Sequence, residues 1–502
     1  MAAERLILTL PNDLSYLPIA LAAVREAARK FGFGEEQIKS IELGLEEAAS
    51  NVIEHAFEAG EESTFDIVCE RIPLGLRLIL REKGLPFDPG RVPSYDPEQS
   101  ASKGSTIGLG VYLMKGMMDE VSFHNLGTEG KETRLAKYLS GTSVKQQFPP
   151  GTPPAEAVGP GPAQDRVIKE KIDYDVRAMR PDEAIEVSKC AYKSHGYSFF
   201  DEHIYFPERL VELNKSGELI SVVAVTKDNT FMGHAALHYP YPAAPIAELT
   251  FVFVNVEYRG QGCMNRMVEH LFSAPRRFPL AGLYAYAVTN HPFTQKAMVK
   301  YGFSDCGLLL ATSPATWVFK GIPGDNSQRI SVMLSLRYLE QPAALTLYPP
   351  ERHRAMVERL YAGLRAPHRF EPGTGDAVKA TDQSVIGTEV FATENCAEIH
   401  VSRCGAHLAR EIKGILRELC LKQIAAVNLF LNLEDPSTCA VTPELESLGF
   451  FFAGILPRSR VGEALILQYL NNVPLDYARI VAHSDTAREL VAYVKSCDPH
   501  AA

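Results

Sequence analysis

The sequence lacks the features that mark membrane and secreted proteins. No apolar run reaches the length that spans a bilayer, and the start MAAERLILTLPND carries early charges where a signal peptide has an apolar core. The nine cysteines are odd in number and form no C-x-x-C pair, which argues against a disulfide framework or a zinc site. We therefore expect a cytoplasmic protein whose cysteines are reduced and buried as small apolar residues.

The sequence also has fewer basic residues than acidic residues. The 502 residues contain 51 Lys and Arg against 61 Asp and Glu, for a formal net charge of −10. This balance argues against a general nucleic-acid binder or a binder of anionic membranes, but it is compatible with a local basic pocket for phosphates. Tryptophan occurs once, at Trp317, where core packing is the expected role. The length corresponds to about three domains.

The stretch Ile41–Phe57 predicts an amphipathic helix, because its apolar residues recur at helical spacing. Glu47 and Asn51 are four residues apart and therefore share one face of that helix. On one interpretation this pair belongs to a functional site. The alternative interpretation is a solvated polar face without chemistry.

Three further motifs follow this helix, namely REKGLPFDP at Arg81–Pro89, STIGLGVYLMKGMMDEV at Ser105–Val121 and GKETRLAKYL at Gly130–Leu139. Their order resembles the GHKL-type ATPase fold, specifically the anti-sigma-factor serine kinases of bacterial partner-switching systems, over about residues 4–140. The resemblance implies an α/β sandwich that binds ATP and Mg2+. It also implies a serine/threonine kinase or anti-sigma factor whose partner is an anti-anti-sigma-like or sigma-factor-like protein.

The resemblance assigns roles to individual residues. Asn51 corresponds to the metal ligand and Glu47 to the carboxylate that polarises the attacking hydroxyl. Glu82, in Glu82-Lys83-Gly84, stands where the family has the aspartate that accepts from the adenine amino group. Thr133 matches the threonine that supports adenine, although the spacing from Gly130 departs from the family pattern.

Phosphate contacts are expected at Gly108 and Gly110, which allow the backbone a close approach before a helix N-terminus. The polar segment Arg91–Lys103 looks like a lid that precedes them. The other elements expected for this sandwich are a strand at 5–10, a helix at Asp13–Phe31 with Asp13 as N-cap, a hairpin of Phe65–Glu70 and Leu74–Arg81, a helix at Val111–Met118, and closing strands at Val121–Asn125 and Thr133–Leu139.

A second group of motifs is centred on a strand, a glycine turn and a helix. The order along the chain is strand Leu249–Val256, turn Arg259-Gly260-Gln261-Gly262, helix Met264–Phe272, strand Leu283–Val288, Asn290, and Gly302-Phe303. A glycine turn at this place points backbone N–H groups at the helix N-terminus, where a pyrophosphate typically binds. The pattern resembles the GNAT acetyltransferase superfamily over about residues 167–322. This implies acetyl-CoA as the cofactor and a small-molecule or protein amine as the acceptor.

Roles follow for the residues of this second group. The turn residues Arg259, Gly260, Gln261 and Gly262 would hold the coenzyme A pyrophosphate. Asn290 could bind the pantetheine arm or, equally, cap the next helix. Glu248 could serve as the base for the acceptor amine. Two positions depart from the family pattern: Met264 replaces a small residue, and Met298 replaces the tyrosine that often protonates the leaving thiolate.

The remaining chain looks like a degenerate copy of this second group, in which Ala397–Leu416, Ile424–Leu433 and Leu445–Pro457 repeat its strands and helices. The copy has Arg403-Cys404-Gly405-Ala406 in place of the glycine turn, so we expect no coenzyme site there. Its expected role is that of a structural, dimer-like partner that packs its sheet edge on the second group. The segment Gln147–Gly161 predicts a stiff Pro/Gly linker.

These patterns predict an α/β (α+β) protein with a GHKL-type sandwich followed by two tandem GNAT-like mixed-sheet domains. The expected boundaries are 1–146 for the ATP-binding domain, 147–166 for the linker, 167–366 for the GNAT-like domain and 367–502 for the degenerate copy. Three functions are open: a signalling fusion of a kinase and an N-acetyltransferase, an acetyltransferase gated by nucleotide, and a non-catalytic scaffold that senses nucleotide and acetyl-CoA. No nucleic-acid or membrane partner is expected.

Overall fold

The computed structural model describes residues 5–58, 60–72, 75–85, 108–139, 171–196, 199, 201–315, 317, 327–373, 383–392 and 394–501. The expected lid at Arg91–Lys103 and the expected linker at Gln147–Gly161 lie outside these described residues. Within them, none of the helices combines the length and the apolar character that crossing a membrane requires.

The first module, residues 5–139, is a sheet covered by helices on one face. Its strands are β1 (Arg5–Pro11), β2 (Thr64–Ile72), β3 (Gly75–Glu82), β4 (Glu120–Asn125) and β5 (Lys131–Tyr138), and its helices are α1 (Leu17–Lys30), α2 (Glu35–His55) and α3 (Leu109–Met117). The sheet is antiparallel in the order β1-β2-β3-β5-β4. Alternate β3 residues, Leu76, Leu78 and Leu80, meet Ile41 and Leu45 of α2 in one core, so the predicted α/β sandwich is confirmed.

Two helix starts differ from the sequence expectation. Helix α2 begins at Glu35 because Ile38 is also buried in the core, and because Glu35 and Glu36 favour the positive end of the helix dipole. Asp13 caps a short 3-10 turn at Leu14–Tyr16, and α1 starts only after that turn. Both differences are local, and neither moves the Glu47/Asn51 face.

The second and third modules share one sheet of 12 strands in the order β15-β16-β17-β19-β18-β11-β12-β10-β9-β8-β7-β6. The second module contains β6 (Tyr174–Ala178), α4 (Ala184–His195), α5 (Pro207–Ser216), β7 (Leu219–Thr226), β8 (Phe231–His238), β9 (Ile246–Val254), α6 (Cys263–Ser273), β10 (Gly282–Val288), α7 (Phe293–Lys300), β11 (Ser304–Ser313), β12 (Ile330–Tyr338), the short β13 (Leu345–Leu347) and α8 (Arg354–Gly363). The third module contains β14 (His368–Phe370), β15 (Val385–Phe391), β16 (Cys396–Arg403), α9 (Leu408–Leu421), β17 (Ala426–Asn432), α10 (Thr438–Ser447), β18 (Phe451–Ser459), β19 (Gly462–Leu470) and α11 (Asp485–Cys497).

The two modules repeat one topology. In the second module β9 is parallel to β10, which pairs antiparallel with β12, which pairs with β11. The same succession in the third module is β16, β17, β19 and β18. Each succession is followed by a helix, α8 or α11. This agreement in strand order supports the duplication that the sequence suggests.

The two copies meet edge to edge, as the sequence analysis predicts. Strand β11 pairs antiparallel with β18 where Gly307 lies opposite Gly454. Gly454 has a φ of 145°, and a Cβ added there would lie 2.3 Å from the Gly307 Cα. The junction therefore requires glycine at this position, because no side chain fits between the strands. The short strand β14 of the third module also reaches back to pair with β13.

Candidate functional site

The first candidate site forms where helix α3 starts beside helix α2. Gly108, the N-cap of α3, has a φ of 76°, a conformation that favours glycine. A Cβ added to Gly110 would lie 2.9 Å from the Glu47 Oε2 and 3.3 Å from the Asn51 Nδ2. The fold thus brings together four of the residues singled out in the sequence. The resulting arrangement places a helix N-terminus, which attracts phosphates, next to a carboxylate and a carboxamide.

Glu47 has the electrostatic character of a proton acceptor. Its side chain is half-buried. Burial raises the pKa of the Glu47 carboxyl, and the nearby charges of Glu46 and Glu54 raise it further. A carboxylate with a raised pKa is a better base for a hydroxyl proton than an ordinary surface glutamate. Asn51, one turn along, offers the oxygen ligand that Mg2+ prefers.

The adenine side of the site is formed by the ends of β3 and β5. The Glu82 side chain is 7% exposed, and its Oε1 lies 2.7 Å from the Lys131 Nζ. Its Oε2 accepts from the Gly84 N–H at 2.5 Å. Both oxygens therefore have protein partners, so an adenine amino group would have to share one of them. Thr133 lies directly opposite Leu80, on the helix-covered face of the sheet.

Gly84 fixes this turn against the end of helix α2. The Leu85 N–H donates to the Ala56 carbonyl at 2.5 Å. A Cβ on Gly84 would lie 1.9 Å from the same carbonyl oxygen, so the close approach needs glycine. Helix α2 consequently contacts both the phosphate side and the adenine side of the candidate nucleotide site.

The second candidate site lies between β9 and β10. These parallel strands pair only from Ile246 to Glu248 and from Gly282 to Tyr284, although they continue to Val254 and Val288. Beyond the paired residues the strands no longer share hydrogen bonds. Phe251, with a φ of 52°, lies where the register of β9 on β8 shifts, and such a bulge bends a strand. The gap leaves the inner edges of two strands exposed to a ligand.

The turn Arg259–Gly262, called here the phosphate turn, closes one end of this gap. It leads directly into helix α6, whose N-cap Gly262 has a φ of 81°. The first N–H groups of that helix have no partners within the helix, as at any helix N-terminus, where anions are stabilised. Gly260 has a φ of 84°, and a Cβ there would meet no atom within 4 Å. Backbone approach to a diphosphate is therefore sterically open at Gly260.

Gln261 differs from the other residues of the phosphate turn. Its Oε1 accepts from the Ile172 N–H at 3.1 Å, and its carbonyl accepts from the Tyr174 hydroxyl at 3.2 Å. The Gln261 side chain therefore anchors the turn to β6. This leaves the backbone of the turn as its main contact surface for a ligand, with the Arg259 side chain beside it.

A cavity of about 1240 Å³ extends from the phosphate turn into the sheet. Glu248, Met264 and Met298 line it in the second module, together with Trp317. Trp317 is buried and packs near Phe199, with ring centroids 6.0 Å apart, as its expected core role requires. The space is large enough for an acetylated thiol arm and a small acceptor.

Glu248 faces this cavity from the last residue of β9 that pairs with β10. Burial raises the pKa of the Glu248 carboxyl to about 8, and the charges of Asp201 and Glu398 contribute. A base with a pKa near 8 is well matched to proton removal from an amine at neutral pH. The position of Glu248 is thus consistent with the predicted role of base.

Three residues near α7 were considered in the sequence analysis or lie close to a residue that was, and the structure places each of them. Met298 is 2% exposed and faces the cavity, and its thioether has no proton to donate. The Tyr301 hydroxyl donates to the Asn265 Oδ1 at 2.5 Å. The N-cap of α7 is Pro292, so Asn290 is not the cap that the alternative interpretation proposes. Asn290 lies between the end of β10 and His291, which lines the cavity.

The third module contributes cavity residues that the sequence analysis missed. Among them are Glu389, Glu394, Glu398, His400, Asn428 and Arg460. A signal was present in the paired segments Ala247-Glu248 and Ala397-Glu398, which occupy equivalent places in the two copies. The third module is therefore more than a neighbour that supports the sheet edge, because it forms one wall of the site.

The described part of the chain contains no group of three or more His, Cys, Asp or Glu side chains that could hold a metal ion. Asn51 as a metal ligand remains a prediction from the sequence.

Comparison with known proteins divides the chain in the same way. Residues 10–137 match the family model described as histidine kinase-like ATPase domain, and residues 186–303 match the acetyltransferase (GNAT) family. The serine-protein kinase RsbW of Bacillus subtilis (strain 168) is 26% identical over 146 residues, which cover 28% of this chain and 90% of the relative. The RsbW of Bacillus licheniformis is 28% identical over 148 residues, covering 28% and 88%.

Solved structures similar to the chain are acetyltransferases. A putative acetyltransferase of Salmonella typhimurium, yncA, solved with acetyl-CoA, is 13% identical, with a TM-score of 0.27 over 34% of this chain and 96% of that structure. An N-acetyltransferase from Staphylococcus aureus Mu50 is 15% identical, with a TM-score of 0.27 over 34% and 99%. The two family models and the RsbW relatives by themselves show an RsbW-like kinase/ATPase domain joined to a GNAT acetyltransferase domain.

Proposed function

We propose that the chain is a bacterial cytoplasmic signalling protein with two activities. The first module is an ATP- and Mg2+-dependent serine/threonine kinase of the anti-sigma-factor type, which acts on an anti-anti-sigma-like or sigma-factor-like protein. The second is an N-acetyltransferase that uses acetyl-CoA. We also propose the division at residues 147–166 and after 366 that the sequence suggests, with β14 reaching back across the second boundary.

The observation that carries the kinase proposal is the contact of Gly110 with Glu47 and Asn51. When bound, ATP supplies the phosphoryl group. Gly108 and Gly110 would orient the phosphates at the start of α3, and Asn51 would hold Mg2+, which would supply positive charge beside them. Glu47 accepts the proton of a serine or threonine hydroxyl. The hydroxyl oxygen forms a bond to the γ-phosphorus while the bond from that phosphorus to its bridging oxygen breaks, and ADP leaves with that electron pair. Positioning and charge stabilisation of this kind supply most of the catalysis in phosphoryl transfer.

Removal of the metal ligand tests nucleotide binding. Asn51→Ala is expected to abolish Mg2+-dependent ATP binding in isothermal titration, because the carboxamide oxygen is lost. The control is Glu36→Gln, an exposed residue at the start of the same helix, which is expected to bind like the wild type. Absence of ATP binding by the wild type at millimolar nucleotide and Mg2+ would refute the proposal.

Glu47→Gln separates binding from phosphoryl transfer. The variant keeps the size of the side chain but cannot accept the proton, so ATP binding is expected to persist. Transfer to a serine of an anti-anti-sigma domain is expected to fall by about 10²–10⁴-fold, measured with radiolabelled ATP. Equal transfer by variant and wild type would remove Glu47 from the mechanism.

The acetyltransferase proposal is carried by the gap between β9 and β10, with the phosphate turn at its end and Glu248 facing the cavity. Acetyl-CoA supplies an activated thioester when bound. Glu248 removes a proton from the acceptor ammonium, and the resulting amine nitrogen attacks the acetyl carbon while the bond from carbon to sulfur breaks. The nitrogen then loses its second proton to solvent. Met298 cannot protonate the departing thiolate, so this proton comes from solvent. Direct titration with acetyl-CoA and release of thiol on adding an amine test the two steps separately.

A non-catalytic sensor of nucleotide and acetyl-CoA is the second candidate function. Two observations favour it: Glu82 is already paired with Lys131, and Met298 stands in place of a proton donor. This candidate predicts binding of both ligands without phosphoryl or acetyl transfer. Measured turnover in either module eliminates it.

A further inference from the structure

The cavity of the acetyl-transfer site is shared between the second and third modules. Its far wall comes from β15, β16, β17 and the β18–β19 turn, and the lining residues there include Glu389, Glu398, His400, Phe430 and Arg460. The acceptor end of the site is therefore built by the degenerate copy, while the phosphate turn of the second module lies at the other end.

Glu398 holds the same place in the third module that Glu248 holds in the second. Gly307 lies opposite Leu334 and Gly454 lies opposite Ile466, which aligns the two copies at these glycines. Leu336 and Gln468 each come two residues after the partner of the aligned glycine. Tyr284 pairs with Leu336 and Asn428 pairs with Gln468, so Tyr284 and Asn428 are equivalent positions. Glu248 lies opposite Tyr284, and Glu398 lies opposite Asn428. The copy has thus lost its glycine turn while its strand glutamate still faces the cavity.

The two glutamates act on each other electrostatically. The charge of Glu398 helps to raise the pKa of Glu248. Burial raises the pKa of Tyr284, which lies opposite Glu248 on the neighbouring strand, and both carboxylates raise it further. Neither carboxylate has an arginine or lysine partner among the described residues. The Glu398 Oε2 lies 3.2 Å from the His400 Nε2, and the His400 ring stacks on Phe430.

Arg460, the arginine on this far wall, is engaged elsewhere. Arg460 pairs with Glu389, and its guanidinium lies 5.2 Å from the centre of the Tyr241 ring. Two carboxylates that share a low-dielectric cavity are costly unless a cation lies with them. The cavity therefore suits a ligand that brings two positive charges.

We propose that the acetyl acceptor is a small aliphatic diamine held between Glu248 and Glu398. One ammonium gives its proton to Glu248 and becomes the nucleophile, and the other stays charged and is held by Glu398. The new bond joins nitrogen to the acetyl carbon, and the bond to sulfur breaks. The nitrogen then loses its second proton to solvent, and the thiolate takes a proton from solvent. This inference rests on the proposed acetyl-transfer function of the same site. Glu398 is then a specificity-determining residue contributed by the degenerate copy.

The test compares 1,4-diaminobutane with butylamine, which has the same carbon chain and one charge. Thiol release by the full chain is measured with saturating acetyl-CoA. The wild type is expected to prefer the diamine by about 10–100-fold in kcat/KM, the range for a lost hydrogen bond to a charged group. Glu398→Gln is expected to lose most of this preference, chiefly through KM, and Glu398→Asp to recover part of it.

The matched control is Glu411→Gln, which removes the same charge from an exposed position on α9 and is expected to keep the preference. Thermal melting of each variant reports whether it folds. Equal kcat/KM for the two amines in the wild type, or an unchanged preference in Glu398→Gln, would overturn the inference while transfer itself still supports the proposed function.

If no amine is acetylated, the proposed acetyl-transfer function is refuted. Direct titration with 1,4-diaminobutane then tests the diamine site alone. Binding of 1,4-diaminobutane by the wild type that is weakened about 10–100-fold in Glu398→Gln would still support a dication site. Absence of diamine binding would overturn it.

Discussion

In the second module β9 and β10 separate after three paired residues, whereas their counterparts β16 and β17 in the third module stay paired over six, from Cys396 to Val401. A bound thiol arm needs the inner strand edges that this separation exposes. In the third module the same backbone groups bond to each other. The two copies therefore differ first in whether their central strands open.

The turns that follow these strands differ as well. In the third module the Cys404 N–H donates to the Asp435 Oδ2 at 3.0 Å, and the Gly405 N–H donates to the Ser384 hydroxyl at 3.1 Å. An internal carboxylate thus takes the place at which the second module could receive a phosphate. The Asp435 carboxylate is a physical reason to expect no coenzyme at this turn, and this expectation stays a prediction.

The largest expected effect concerns the phosphate turn. Gly260→Asp is expected to abolish acetyl-CoA binding in isothermal titration, because a carboxylate would face the diphosphate in a place with steric room for it. Ala406→Asp adds the same charge to the corresponding exposed turn of the third module. It is expected to leave binding unchanged. Loss of binding in both variants would show that the two turns are not different in function.

Glu248→Gln tests the proposed base. A fall in acetyl transfer of about 10²–10⁴-fold is expected, as for removal of a general base. The base must be deprotonated to act, so kcat/KM of the wild type should rise with pH up to the pKa of about 8 and level off above it. The variant should lack this inflection. A wild-type profile that is flat from pH 6 to 9 would contradict the assignment.

Gly454→Ala tests the edge at which the copies meet. The added Cβ would lie 2.3 Å from the Gly307 Cα, at a φ of 145°, so strain and overlap together are expected to cost about 3 kcal/mol or more. Urea unfolding measures this loss. Gly387→Ala, on β15 with no atom within 4 Å of the new Cβ, is the control, and an equal effect in both variants would refute the proposed importance of the junction.

The smallest effect is expected at the turn of the third module. Asp435→Ala removes the acceptor of the Cys404 and Ser437 N–H groups and should lower the free energy of unfolding by about 1–3 kcal/mol. Glu444→Ala, at an exposed position on α10, is the control. The acetyl-CoA stoichiometry should stay at one per chain, because β16 and β17 remain paired. A second bound acetyl-CoA would show that Asp435 alone closes the site.

Much of the fold could be predicted because its signals are local. Helical spacing located α2, and the order of strand, glycine turn and helix located the phosphate turn before α6. The convergence of Glu47, Asn51 and Gly110 followed from the resemblance, since each residue belongs to a separate motif. The duplication could be seen because equivalent segments keep similar sequences.

What could not be predicted depends on contacts between distant residues. The salt bridge between Glu82 and Lys131 and the hydrogen bond from Ile172 to Gln261 join residues far apart in the sequence. The spacing of residues along the chain does not predict such contacts. The separation of β9 from β10 depends on strand register and on the bulge at Phe251. The position of Glu398 in the cavity appears only when the two modules are joined at β11 and β18.

The two walls of the cavity belong to one chain, joined at β11 and β18, so dilution of the protein does not separate them. Two separate chains would share such a cavity only above their dissociation constant, whereas here the second wall is tethered and its effective concentration is fixed by the chain itself. The specific activity per molecule should therefore be independent of protein concentration. Because only one copy needs the open strands and the phosphate turn, the other could close its own turn and keep only the face that it presents to its neighbour.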